Sequence, residues 1–332
     1  APWDRAVTAP GSKSCTVVVD FHDDSLRYPI LVDPSWQSTA GSMIRPRHRA
    51  SVVEIPQVSP PPPAPPKLGI VLVTGPTGST GVTGYLLATR TVAEVDDQLC
   101  LGLHLEGPFL NPEAAGAIPV EELTPVDLGA VAEWTAAPEL VRLVTLAPEL
   151  PLAQVAIELL AGVGIVAALG HTRANDLKTQ AAIDAGATFA THLWNATKPP
   201  SARSPGPVLT LLLDERVTIG LIPDGRHLHP LVEDLTVRVA GPRRIALTSD
   251  RVPPPQERAD GSLLGGNRAG VEVVERMARF GLAETAMMAS LVPALALGLT
   301  DRGRLAPGYR ADLALLAPDF APVRTIVAGV DL

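Results

Sequence analysis

A (β/α)8 barrel of the TIM type, with an incomplete or substituted first strand and a small β appendage, is the fold this α/β sequence predicts. Three observations predict it. Eight apolar runs follow one another between Lys67 and Asp250, most of them ending in polar or glycine-containing residues. Ala-, Leu- and Glu-rich stretches with helical spacing separate several of these runs. Hydrophobic residues make up 46% of the 332 residues but aromatics only 4%, so the core must be Ala, Val and Leu, which suits buried parallel strands covered by helices. An open doubly wound sheet is the alternative for the same pattern.

Residues 1–58 differ from the rest. Segments such as CTVVVDF and YPILVD, set among Pro, Ser, Asp and Arg, predict β-strands with turns. SPPPPAPP at 59–66 predicts a polyproline II linker. The barrel is then assigned to 67–303. Its runs are GIVLVTG, GYLLATR, LCLGLHLEG, LVRLVTLAPE, GIVAALGHT, ATFATHLWN, RVTIGLIPDG and RRIALTSD. Helices are predicted over 151–163 and 174–186, the second with a glycine as its stop signal. TVAEVDDQ, between the second and third runs, is too short for a full crossover helix. Residues 304–332 predict short strands with turns and no helical partner.

The net charge of −8 argues against a nucleic-acid or anionic-membrane surface, which would want a basic excess. Two cysteines, Cys15 and Cys100, build no disulfide framework and form no CxxC motif, so a reducing, cytoplasmic setting is expected. No run of about 18 uncharged apolar residues predicts a membrane span. APWDRAV at the start shows neither the basic nor the apolar region of a signal peptide.

The chemistry gathers at the ends of the runs. Glu106 closes the third, His171 the fifth, His192 the sixth and Asp250 the eighth. That is the end where a barrel assembles catalytic groups. A lone carboxylate in an apolar strand is costly to bury unless it is paired or coordinated. One carboxylate and two imidazoles can hold a zinc-like divalent ion with a position left open for water, and a further carboxylate can move the proton. A single strand-end histidine is more commonly a hydrogen-bonded core residue; four such residues on separate strands shift the weight towards a metal site. Elsewhere the plainer readings stand. His104 faces the same way as Glu106 and is read as support or barrel filling, Trp194 as packing, and EEL at 121–123 as a solvated helix start. His48 and His229 have no evident partner.

HLEGPFLNPEAAGA, LGHTRAND, THLWNAT, LIPDGRH, LTSD and RGRLAPGYRADLALL, in this order, resemble the N-acetylglucosamine-6-phosphate deacetylases of the amidohydrolase superfamily, from about Gly81 to Leu332. The resemblance implies Glu106, His171 and His192 as ligands of one divalent metal ion per chain, zinc by expectation, and Asp250 as catalytic acid/base. It implies substrate contacts at Ala117, Asn195, Ala196, Arg203, His227, Leu263, Leu264 and Gly265. Arg203 would reach the sugar phosphate of a neighbouring subunit in a homodimer. The implied substrate is a small amino-sugar phosphate, deacetylated from N-acetylglucosamine 6-phosphate to glucosamine 6-phosphate and acetate. The implied appendage is a small β-sandwich made from both chain ends.

The chain departs from that pattern in three places. Ile118 stands where the family usually has a histidine that polarises the carbonyl. No HxH motif precedes Glu106 in register; VVVDFHDD offers only His22 and Asp24, on the far side of the proline linker. The first strand would have to be GIVLVTG. With PTGSTG it imitates a phosphate loop, but Thr80 and Gly81 stand where the second glycine and the lysine are needed. The alternatives are therefore an amidohydrolase for another amide, or a degenerate, non-catalytic relative.

Overall fold

In this computed structural model the residues described are 99–331 except 253, 254 and 260, with the backbone of Ile30–Leu31 and Tyr85–Thr89. Ile30–Leu31 is β1 and belongs to a second sheet. The main sheet has seven strands, all parallel to their neighbours and ordered as in the chain: β2 (Tyr85–Thr89), β3 (Cys100–Glu106), β4 (Val141–Leu146), β5 (Val166–Leu169), β6 (Phe189–Ala190), β7 (Thr218–Leu221) and β8 (Ile245–Leu247). From β3 onward a helix separates each pair: α1 (Leu128–Thr135), α2 (Ala153–Gly162), α3 (Asp176–Asp184), α4 (Gly206–Leu213) and α5 (Pro230–Ala240). Sequential parallel strands with helical crossovers are the arrangement of a TIM-like sheet. α6 (Gly270–Met277) follows β8.

Local signals place the helices. Both expected helices are present, as α2 and α3. Asn175 starts α3 by accepting the Lys178 N–H at 2.8 Å, and Gly186, at φ 114°, lies just past its end. EEL does not start an α-helix. Val120–Glu122 forms a single 3-10 turn, and α1 begins only after Asp127, whose side chain accepts from the Gly129 N–H at 2.8 Å. Proline at 125 forbids continuous helix between the two. His229 has a partner after all: its Nδ1 accepts from the Leu231 N–H at 3.2 Å and caps α5, while Pro230 needs no acceptor.

The phase of β3 decides what faces the interior. Leu103 and Leu105 join the layer between sheet and helices, whereas Leu101 packs with Leu143, Ala168, Phe189 and Ala246 on the opposite face. A strict two-residue alternation would put 101, 103 and 105 on one face. The switch occurs at Gly102, φ 128°, next to a register shift between Leu103 and His104. A Cβ there would lie 2.5 Å from Arg142 Cγ and 2.7 Å from Leu140 O, so only glycine fits. The bulge turns His104 and Glu106 inward.

The second sheet runs β1–β9–β10–β11, antiparallel throughout, with β9 Leu313–Leu316, β10 Pro322–Val327 and β11 Val330–Asp331. Short C-terminal strands were expected there. The YPILVD segment also supplies a strand, with Ile30 opposite Leu315 and Leu31 opposite Ala314. GIVLVTG, the 59–66 linker, the phosphate-loop imitation, His22, Asp24 and His48 lie outside the described residues. Among the described residues no helix is long and apolar enough to cross a membrane.

Candidate metal centre

Glu106 is the last residue of β3; His171 and His192 each lie two residues past the ends of β5 and β6. All three are buried. His171 Nε2 and His192 Nε2 lie 3.0 and 2.9 Å from Glu106 Oε1, and 3.2 Å from each other. They are the one cluster of metal-ligating groups found among the described residues. Asp250, also buried, lines the same pocket as His104, Glu106 and His192.

The backbone at these strand ends is unusual. His171 (φ 48°), His192 (φ 31°), Ala196 (φ 49°) and Asp250 (φ 44°) all occupy left-handed conformations that ordinary side chains avoid. Such strain persists where surrounding contacts over-determine it, and it concentrates at functional sites. Two glycines make room. A Cβ on Gly265 would lie 2.7 Å from Asp250 O, and the Gly266 N–H donates to that same oxygen at 2.6 Å.

The donor set fits a cation. His171 Nδ1 lies 2.9 Å from Ala114 O, a carbonyl that can only accept, so Nδ1 carries the proton. In the neutral ring Nε2 is then a lone pair, aimed at a carboxylate oxygen and at a second imidazole nitrogen. A carboxylate oxygen and two imidazole nitrogens converging at 2.9–3.2 Å are the donor set that a shared cation would take. The carbonyl bond to the outer nitrogen is the arrangement that orients metal-binding histidines.

His104 is the polar residue beneath this cluster. Its Nε2 is 2.7 Å from Thr145 Oγ1, which is 2.7 Å from Thr191 Oγ1. Burial, with His192 and His171 nearby, outweighs the Glu106 charge and lowers its pKa to about 4, so it is neutral at pH 7.

The expected substrate-contact residues fall into three groups. Asn195 and Ala196 lie three and four residues past His192, and Ala196 O accepts from the Thr172 N–H at 3.1 Å. Ala117, His227, Leu263, Leu264 and Gly265 lie on loops that hold one another. Arg258 Nη2 donates to Ala117 O at 2.8 Å, Leu264 N–H to Gln256 O at 2.8 Å, and Arg226 pairs with Glu257. His227 Nδ1 meets Asp224 Oδ2 at 2.9 Å. Burial pushes the Asp224 pKa up, but hydrogen bonds from the His227 ring and from the backbone N–H groups of His227 and Arg226 win and hold it at about 2. Arg203 stands apart, exposed on a turn closed by mutual backbone bonds between Ser201 and Ser204. Ile118 is buried. Trp194 packs against the core and donates Nε1–H to Thr236 Oγ1 at 2.8 Å, as expected of a packing residue.

Two residues escaped the sequence reading. Asp224 lies inside the quoted LIPDGRH, and its spacing of three from His227 was the available signal. Glu149 ends LVRLVTLAPE as Glu106 ends its own run, and that parallel position could have found it.

Residues 71–331 match the amidohydrolase family profile. Among known proteins, the chain is 30% identical over 258 residues to the N-acetylglucosamine-6-phosphate deacetylase of Lysinibacillus sphaericus, covering 70% of this chain and 67% of that protein. It is 33% identical over 254 residues to the Bacillus subtilis (strain 168) deacetylase, covering 69% and 64%. The chain thus spans about two thirds of the length of these relatives. Among solved structures, a Mycobacterium smegmatis deacetylase mutant in complex with N-acetyl-D-glucosamine-6-phosphate superposes with a TM-score of 0.66 at 34% identity, over 70% of this chain and 68% of that one. The Pasteurella multocida deacetylase gives 0.71 at 26% identity, over 76% and 77%. The strand-end cluster, the sheet order and these matches agree, and the chain belongs to the amidohydrolase family, in its N-acetylglucosamine-6-phosphate deacetylase group.

Proposed function

We propose that this chain deacetylates N-acetylglucosamine 6-phosphate, giving glucosamine 6-phosphate and acetate. The observation that carries the reading is the convergence of Glu106 Oε1, His171 Nε2 and His192 Nε2, with the His171 proton held on its other nitrogen by Ala114 O. These residues would hold one divalent ion, zinc by its preference for nitrogen and carboxylate donors. When bound, such an ion supplies Lewis-acid polarisation of an amide carbonyl and makes a water more acidic. Asp250, lining the same pocket, accepts the proton of the attacking water and returns it to the nitrogen as the C–N bond breaks. Acetate and the free amine leave. His227, held by Asp224, and the 263–265 segment bind and orient the sugar.

Arg203 suits a phosphate because its planar fork pairs two oxygens, and its exposure supports delivery across a homodimer. The same reading gives the barrel unit, 67–303, eight strands and takes the β1–β9–β10–β11 sheet as the small appendage built from both chain ends; the units are then 1–58, 59–66, 67–303 and 304–332. The cytoplasm is the compartment that fits two cysteines and an amino-sugar phosphate substrate. A second reading, another amide as substrate, is favoured by Ile118, since a buried isoleucine offers the carbonyl no hydrogen bond. The test is acetate release from N-acetylglucosamine 6-phosphate, with and without added zinc. Metal-dependent release supports the reading; none at full metal loading overturns it for this substrate.

A further inference from the structure

We infer that Glu149 is the positioning residue that holds His171 in its ligand geometry. The inference rests on the metal-centre reading above and adds the carboxylate that keeps the centre assembled. Glu149 lies three residues past the end of β4 and reaches both neighbouring strand-end loops. Its Oε1 accepts from Asn111 Nδ2 at 2.8 Å, in the loop after β3, and from the Arg173 N–H at 2.6 Å, in the loop after β5. Its Oε2 accepts the Thr172 hydroxyl at 2.5 Å.

The bonds converge on the residue in the left-handed conformation. His171 O accepts from the Asn111 N–H at 3.0 Å, the Thr172 N–H donates to Ala196 O at 3.1 Å, and Thr172 O accepts from the Lys198 N–H at 3.0 Å. A non-glycine residue at φ 48° persists only when its neighbours leave it no alternative, and Glu149 takes the donors of the two residues that follow. Both of its oxygens are occupied by donors, so it does not compete for the ion. Asn111 extends the clamp to β3, whose last residue is Glu106. One side chain therefore ties two of the three donor-bearing loops together.

The test uses the full chain, stripped of metal and titrated with zinc against a competing chelator, with the absorption of the cobalt-loaded protein as a second readout. Glu149→Gln puts an amide N–H₂ where an acceptor is needed, and should weaken zinc binding by about 10–100-fold and change the cobalt spectrum. Thr172→Val removes one bond of the three and should cost less, under about tenfold. In the metal-free chain, amide exchange at Thr172 and Arg173 should speed up in both variants relative to α2. Glu233→Ala, which unsettles the ion pairs of Glu233 with Arg276 and Arg279, serves as the control: it should lower stability and leave zinc affinity alone. Glu149→Gln binding zinc as tightly as the parent, with the same cobalt spectrum, overturns the inference. So does a control that loses zinc affinity as much as Glu149→Gln. If Glu149→Gln fails to fold, Thr172→Val decides on the same readouts. A parent chain that binds no zinc sinks the metal-centre reading itself and takes this inference with it.

Discussion

Glu106 and Glu233 are both buried carboxylates, 3% and 0% exposed, and the protein surrounds them in opposite ways. Glu233 on α5 receives Arg276 Nε and Nη2 at 3.1 and 2.9 Å and Arg279 Nη2 at 2.6 Å. Its charge is neutralised in place, and Arg276 extends to the loop at Gly225, where a Cβ would lie 3.3 Å from the guanidinium. Glu106 meets two imidazole nitrogens, at least one of them a lone pair. A carboxylate among cations is closed and stabilises the fold. A carboxylate set against an imidazole lone pair can share a cation with it and serves chemistry at a cost in stability.

The comparison can be broken most severely at the open cluster. Asp250→Asn is nearly isosteric but cannot accept and return a proton. Turnover should fall at least about a hundredfold while metal content, measured on the purified protein, stays that of the parent. An Asn variant as active as the parent removes Asp250 from the mechanism.

The next effect contrasts the two glutamates directly. Glu233→Ala leaves two arginines without their buried partner and should cost on the order of 3 kcal/mol in urea unfolding, with metal content unchanged. Glu106→Gln should strip the metal yet leave the metal-free chain no less stable than the parent. If Glu106→Gln unfolds the metal-free chain, or Glu233→Ala releases the metal, the distinction fails.

A smaller effect tests the loop that carries His227. Asp224 is held at about 2, below its ordinary 3.8, so its ionised form stabilises the fold. That contribution is fully present above about pH 4 and is lost as pH falls towards 2, a difference of about 2 kcal/mol. Asp224→Asn should therefore lose stability at pH 6 and flatten the dependence between pH 4 and 2. Parallel curves for parent and variant would show that the carboxylate charge contributes nothing. The smallest change in stability belongs to Arg203→Ala: within about 0.5 kcal/mol, because the side chain is exposed. Its effect should appear as a raised KM for the sugar phosphate and not for an unphosphorylated acetyl-sugar; equal losses on both substrates point to a structural role.

Much of this was legible in the chain. The apolar runs corresponding to β2–β8 were visible because buried parallel strands need continuous Val, Leu and Ala, α2 because of its Ala- and Leu-rich stretch, and α3 because of the glycine that stops it. Glu106, His171, His192 and Asp250 stood out because polar residues at the ends of such runs have no packing reason to be there. The misreadings were local: EEL carries helix-start charges, but Pro125 and the Asp127 cap moved the start, and His229 served a cap that its neighbours did not advertise.

The sequence by itself determined the rhythm of strands and helices and which side chains could do chemistry, because hydrophobic periodicity and the cost of burying charge act over a few residues. Only the tertiary structure decided the phase of β3, since the bulge at Gly102 answers to Arg142 on the next strand and to Leu140 just before it. It alone decided that His171 presents a lone pair, because the proton on its other nitrogen is fixed by Ala114, 57 residues away. Glu149 and Glu233 followed the same rule. Whether a buried carboxylate clamps loops, neutralises arginines or awaits a cation depends on donors brought from distant strands and helices, and no window of sequence contains them.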